Sequence, residues 1–142
     1  MLEKLKTDFY AMIAGFGYNV SDNRNFETGD SPWLVLRSNG YQRAHSVGLR
    51  MSKITLVLDI FSQYNGEREI IKVIDKIADN LEEFLVQHPE VLFCYQKSMK
   101  ILDDKATGPV RKHGVVSYEF LMGINTPEEE EAEPNEYCRS QY

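Results

Sequence analysis

The stretch Lys53-Ile54-Thr55-Leu56-Val57-Leu58-Asp59-Ile60-Phe61 decides the fold class. Ile54, Leu56, Leu58 and Ile60 recur at every second position, and Lys53, Thr55, Val57, Asp59 and Phe61 fill the alternate ones. A period of two is the signature of a pleated strand. One side is wholly apolar and the other mixed, which predicts a sheet covered on one face. Downstream, Asn65-Gly66 predicts a turn, and residues 67–87 a long helix. Ile70, Ile74, Ile77, Leu81 and Phe84 form its apolar stripe, with Val73 and Leu85 flanking. Glu67, Arg68 and Glu69 open the helix, with acids at the positive end of its dipole. His88-Pro89 closes it, because a residue before proline avoids the helical region. Residues 91–102 predict another strand, in which Val91, Phe93, Tyr95, Met99 and Ile101 alternate and Lys97 interrupts. Residues 103–109 predict a loop of hairpin length. The last strand, over 110–123, places Val116, Tyr118, Phe120 and Met122 on one face.

Upstream, Leu2, Leu5, Phe9, Met12, Ile13 and Phe16 recur at helical spacing, which predicts a helix over 2–16 stopped by Gly15 and Gly17. Gly17 suits a left-handed cap. Residues 19–32, rich in Asn, Asp, Gly and Ser and ending in Pro32, predict a loop. Trp33–Arg37 predicts a short strand, and Ser38-Asn39-Gly40 a turn. Residues 41–49 are then an arm of the connection or an extension of the hairpin. The expected fold is α+β: a sheet of about four strands, mixed or antiparallel, in the order α-β-β-α-β-β. The N-terminal helix and the long helix pack on one face.

The chain of 142 residues suits one domain, expected over 1–124, with a tail over 125–142. A hydrophobic fraction of 42% and a charged fraction of 27% support a packed core. No run approaches the roughly 18 apolar residues of a membrane span. Met1-Leu2-Glu3-Lys4-Leu5-Lys6 lacks the basic-then-apolar plan of a signal peptide. Cys94 and Cys138 are too few for a disulfide scaffold or a cysteine-built zinc site.

The net charge of −6 is unevenly spread. Residues 125–142 hold six acids and one base, against 16 acids and 15 bases in the remainder. That acidic segment, with Pro127 and Pro134 and no aliphatic side chain larger than Ala132, predicts disorder. It solubilises the chain or docks on a basic partner. No acid falls between Asp30 and Asp59, where Arg37, Arg43, His45, Arg50 and Lys53 lie. None falls between Asp104 and Glu119, where Lys105, Arg111, Lys112 and His113 lie. These two stretches are either solvated strand faces or a surface for nucleic acid or an acidic protein.

Reactive chemistry has little support in the sequence. His45, His88 and His113 sit in separate elements with no metal-ligand spacing around them. His88 is placed to cap a helix, and the other two belong to the basic stretches. Cys94 reads as a packed thiol in a strand, opposite in phase to the main apolar set. Gly15-Phe16-Gly17 follows a helix and lacks a third glycine, so it is no dinucleotide loop. Asp103-Asp104 could chelate a divalent ion, but an exposed turn is the simpler reading of the pair. No catalytic, cofactor or metal residue is therefore assigned, and an enzyme is not expected. Aromatics beside bases, as in Tyr41-Gln42-Arg43 and Tyr95-Gln96-Lys97, suit base stacking. They equally suit protein interfaces, and no segment matches an RNA-recognition motif.

The segment Arg50–Phe120 resembles the tail-terminator (tail-completion, head–tail joining) proteins of long-tailed bacteriophages. The likeness lies in the apolar strand Ile54–Phe61 ending in an aromatic and Ser62, and in Gly66-Glu67-Arg68-Glu69 opening a long helix. It continues through a strand, a polar turn and Arg111-Lys112-His113-Gly114-Val115-Val116-Ser117-Tyr118-Glu119-Phe120. An amphipathic N-terminal helix and the chain length also fit.

The resemblance implies a virion protein without cofactor, assembled in the host cytoplasm. Such proteins form a ring, usually a hexamer, that caps the tail tube and offers a surface to a head-completion or connector protein. DNA passes through the lumen without specific binding. Arg37, Arg43, His45, Arg50 and Lys53 would then meet a neighbouring subunit or the tube. Lys105, Arg111, Lys112 and His113 would lie on a second basic hairpin. A head-completion role is the related alternative, and a nucleic-acid-binding α+β module using basic and aromatic residues is the alternative from another class.

Overall fold

The computed structural model describes residues 2–21, 31–46, 49–104 and 110–123. The elements are α1 (Leu2–Ala14), β1 (Asn19–Ser21), β2 (Trp33–Ser46), β3 (Leu49–Ser62), α2 (Arg68–Val86), β4 (Val91–Asp103) and β5 (Lys112–Gly123). They build one five-stranded sheet in the order β1-β2-β3-β5-β4. The α+β class is as expected. The strand count and order are corrected from four to five and to α-β-β-β-α-β-β, because Asn19–Ser21 forms a strand where a loop was expected. This short strand pairs parallel with β2, Val20 opposite Leu34. The other pairings are antiparallel, so the sheet is mixed. Since β5 runs antiparallel to both β3 and β4, the α2 crossover leaves β3 and β4 parallel, with β5 between them.

The period-two pattern of β3 is realised directly. Ile54, Leu56, Leu58 and Ile60 are fully buried beneath the helices. They share one core with Leu34 and Leu36 of β2, and with Val116, Tyr118, Phe120 and Met122 of β5. Onto this face α1 sets Leu5, Phe9 and Ile13, and α2 sets Ile70, Val73, Ile74, Ile77 and Phe84. Phe9 is the aromatic hub, with ring centroids 5.5 Å from Phe84, 5.5 Å from Tyr118 and 5.8 Å from Phe120. Gly17, at φ 95, ends the α1 region in the left-handed conformation. His88 is buried at the end of α2, stacked on Phe84, with Nε2 3.3 Å from Asp8 and Nδ1 3.2 Å from Glu90. Its ring thus joins α1 to the α2–β4 turn.

Two local expectations give way to long-range pairing. Ser38-Asn39-Gly40 is no turn. The chain continues through it as β2, and a bulge between Ser38 and Gly40 takes up the extra residue. The ladder to β3, from Trp33↔Phe61 to Ser46↔Leu49, outweighs a local Asn-Gly preference, and the extended-hairpin reading of the following residues holds. In β4 the expected alternation, interrupted at Lys97, is broken twice: the register shifts between Val91 and Phe93 and again between Gln96 and Ser98. One extra residue reverses side-chain phase. Met99 and Ile101 therefore lie opposite Val116 and Gly114, on the helical side. Phe93 and Tyr95 lie opposite Leu121 and Glu119, on the other face, and Cys94 turns toward the core. The proposed tail over 125–142 lies outside the described residues.

Gly114 lies at a close helix–sheet approach: a Cβ there would stand 2.6 Å from Ile70 Cγ2. Gly114→Ala is expected to destabilise the fold by about 1–3 kcal/mol in denaturant titration through overpacking. Gly40→Ala, where a Cβ meets nothing within 4 Å, is the control expected to stay within about 0.5 kcal/mol of wild type.

Candidate functional site: the open sheet face and its edge

The face of the sheet away from the helices carries the alternate residues of β3 and β5 and the adjoining positions of β2 and β4. Its apolar part is small: Trp33, Val35, Phe61 and Val110 form a second buried cluster. The rest is organised around two carboxylates. Asp59 accepts from Arg37 Nε at 2.7 Å and from His113 Nε2 at 2.9 Å, and the His113 ring stacks on Phe61 at 4.3 Å. Glu119 accepts from the Tyr95 hydroxyl and has Lys97 at 3.6 Å and Lys53 at 3.9 Å. Lys112 donates to Asp103 at 2.6 Å.

These contacts set the protonation of both acids. Burial pushes Asp59 up, but the hydrogen bonds from His113 and Arg37 outweigh it and hold the carboxyl below its ordinary value. Glu119 is lowered chiefly by the Tyr95 hydroxyl, against burial and with help from Lys53 and Lys97. Burial pushes the Cys94 thiol up to about 12, which leaves it a packed, unreactive group.

The structure therefore brings members of the two basic stretches together over one acid. Arg37 from the first and His113 from the second meet on Asp59. Lys53 turns to Glu119 and Lys112 to Asp103. Arg111 is exposed ahead of β5. Arg43, His45 and Arg50 lie apart from these, near the far end of the β2–β3 ladder, with His45 opposite Arg50 and Arg43 opposite Ser52. Arg50 and Phe61 are eleven positions apart along β3, about 37 Å at ~3.4 Å per residue. Lys105 lies outside the described residues. The acids Asp59 and Glu119, which sequence reasoning treated only as the ends of acid-free stretches, are the groups on which the bases converge. Their odd-numbered parity with Lys53, Arg37 and His113 was the available signal.

The edge of this face is also exposed. Among the described residues β4 pairs only with β5. Leu92, Phe93, Tyr95, Met99 and Leu102 are 59%, 57%, 40%, 41% and 47% exposed. Phe93 and Tyr95 form a ring pair at 5.4 Å. Sequence reading set both in one alternation with Val91, Met99 and Ile101 and marked Tyr95-Gln96-Lys97 for base stacking or an interface, without separating the exposed flank from the inward positions. On the helical side, Asp8, Met12, Glu83, Phe84, Gln87 and His88 line a groove of about 440 Å³ between α1 and the end of α2. Among the described residues no three His, Cys, Asp or Glu side chains gather as a metal site. No described helix is long and apolar enough to cross a membrane. No protein-family model and no curated protein matches the chain.

Asp59 has a folded value below its unfolded value of roughly 3.9, so its stabilising contribution is present above about pH 4 and disappears as pH falls through the lower folded value. Asp59→Asn is expected to cost about 1–3 kcal/mol at neutral pH. The variant's unfolding free energy, measured against pH, should fall less steeply on the acid side than that of wild type.

Proposed function

We propose that this chain is a structural subunit of a long-tailed bacteriophage, forming a ring that caps the tail tube, stops its growth and offers the head-joining surface. The sequence of Arg50–Phe120 supports the family, and the α+β architecture is compatible with it. The observation that carries the reading is the β4 flank. Leu92, Phe93, Tyr95 and Leu102, and Met99 on the helical side, stand exposed along one strand that among the described residues is paired on one side only. Exposed large apolar side chains gathered on one element mark an interaction site, and an open strand edge is a surface that proteins cover or pair.

A ring needs unlike patches on one subunit. A heterologous contact closes when its rotation closes, and otherwise grows as a filament. This sheet is asymmetric in that sense. Its β4 flank is apolar, while the far part of the β2–β3 ladder carries Arg43, His45 and Arg50. Those three bases face the tube or a neighbouring subunit. DNA passes through the lumen without specific contact, because each neutralised phosphate would add affinity and retard passage. The acidic segment 125–142 stays outside the tube.

Purified chain added to growing tail tubes should arrest elongation and add a ring of density at one tube end in electron micrographs. Unaltered elongation with bare ends would refute the reading. Arg43→Glu combined with Arg50→Glu should leave the monomer folded, by circular dichroism and unfolding midpoint, and abolish capping. Normal capping by this variant would remove these residues from the contact.

A further inference from the structure

The outer surface of α2 carries a stripe that the fold does not use. Ile71, Asp75, Asp79, Glu82 and Val86 follow one another at four- and three-residue steps, and all are exposed. At 3.6 residues per turn they fall within about a quarter-turn of one another. Their side of the helix lies away from the buried residues Ile70, Val73, Ile74, Ile77 and Phe84. The stripe is apolar at both ends and acidic in the middle. Ile71 is 39% exposed and Val86 75%, high values for aliphatic side chains. Glu82 and Glu83 lie near the C-terminal end of the helix, whose last turn has no base. Acids there oppose the negative end of the dipole, so an external cation would relieve them. Lys72 and Lys76 border the stripe, and Lys76 is turned over the Phe16 ring at 5.4 Å.

The open face of β4 presents the converse pattern. Phe93 and Tyr95 lie at one end, Leu102 at the other, and Lys97 and Lys100 between them. Residues 91–102 hold these two bases and no acid. Lengths agree as well. From Ile71 to Val86 the helix runs about 22 Å at 1.5 Å per residue. From Tyr95 to Leu102 the strand runs about 23 Å at ~3.3 Å per residue.

We infer that the α2 stripe Ile71–Asp75–Asp79–Glu82–Val86 of one subunit docks on the Tyr95–Lys97–Lys100–Leu102 strip of a second copy of this chain. The inference rests on the ring reading and names its subunit contact. Apolar ends meet apolar ends, and three carboxylates meet Lys100 and Lys97, the latter shared with Glu119 of its own subunit at 3.6 Å. Because the two patches differ, the contact is heterologous, as a ring requires. Its charged centre selects register and partner more than it adds affinity.

The experiment is a charge exchange on the full chain, read by size-exclusion with light scattering at low and high salt. Lys97→Glu with Lys100→Glu should weaken self-association by roughly a hundredfold, since like charges then face each other. Asp79→Lys with Glu82→Lys should do the same. Mixed in equal amounts, the two variants should regain the wild-type mass, because every contact in an alternating assembly is again of opposite charge. Circular dichroism confirms that each variant is folded.

Wild-type mass in either variant alone, or folded variants whose mixture stays dispersed, would overturn this contact while leaving tube capping by wild type unaffected. A wild-type chain that caps tubes but stays monomeric alone would likewise overturn the contact and spare the ring reading. A monomeric chain whose Lys97 and Lys100 instead retard a single-stranded oligonucleotide would overturn it in favour of nucleic acid on this strip.

Discussion

Strand β3 is hydrogen-bonded to a neighbour on each side, to β2 from Leu49 to Phe61 and to β5 from Met51 to Ser62. Side-chain parity along this one strand divides the molecule. Even positions from Ile54 to Ile60 meet the helices and are fully buried. Odd positions from Lys53 to Phe61 form the centre of the opposite face. A slip of one residue would place Asp59 in the hydrocarbon core and Leu58 on the charged face. Burying an unpaired carboxylate is costly enough to exclude that register. The same parity explains why Arg37 and His113, distant in sequence, reach one carboxylate from the strands on either side.

Once β3 is fixed, the two flanks of the sheet differ in kind. On one side, β1 covers only the beginning of β2. On the other, β4 carries a bulge at Lys97 and two lysines, devices that discourage indiscriminate strand pairing. Yet β4 also exposes aromatic and aliphatic side chains. That combination resists aggregation along the edge while leaving the side-chain surface available to a chosen partner. It suits the proposed role of an assembly subunit.

Much of the fold was legible because its strongest signals are periodic and uninterrupted. The even positions of β3 and β5 and the stripe Ile70–Phe84 of α2 needed no tertiary information. Asn19–Ser21 was illegible because three residues, two of them polar, have no period to read and become a strand only by lying beside Trp33–Val35. Asn39-Gly40 misled because a local turn preference is weak against a long ladder. Lys97 was visible as an interruption, but a lone charged residue does not reveal that the phase inverts beyond it, and the shift between Val91 and Phe93 carries no mark at all. The basic residues of the candidate surface were visible by type. Their partners Asp59 and Glu119 were not, since pairing depends on register between strands. The β4 flank was hidden by the same inverted phase.

The proposed ring requires a subunit that associates with itself through two unlike surfaces on its two-layer body. Native mass spectrometry of the wild-type chain over a rising concentration series addresses that most directly. A ring-forming subunit should give a single closed oligomer that gains no further subunits once formed. A monomer at every concentration, or an open-ended ladder of masses, would contradict it.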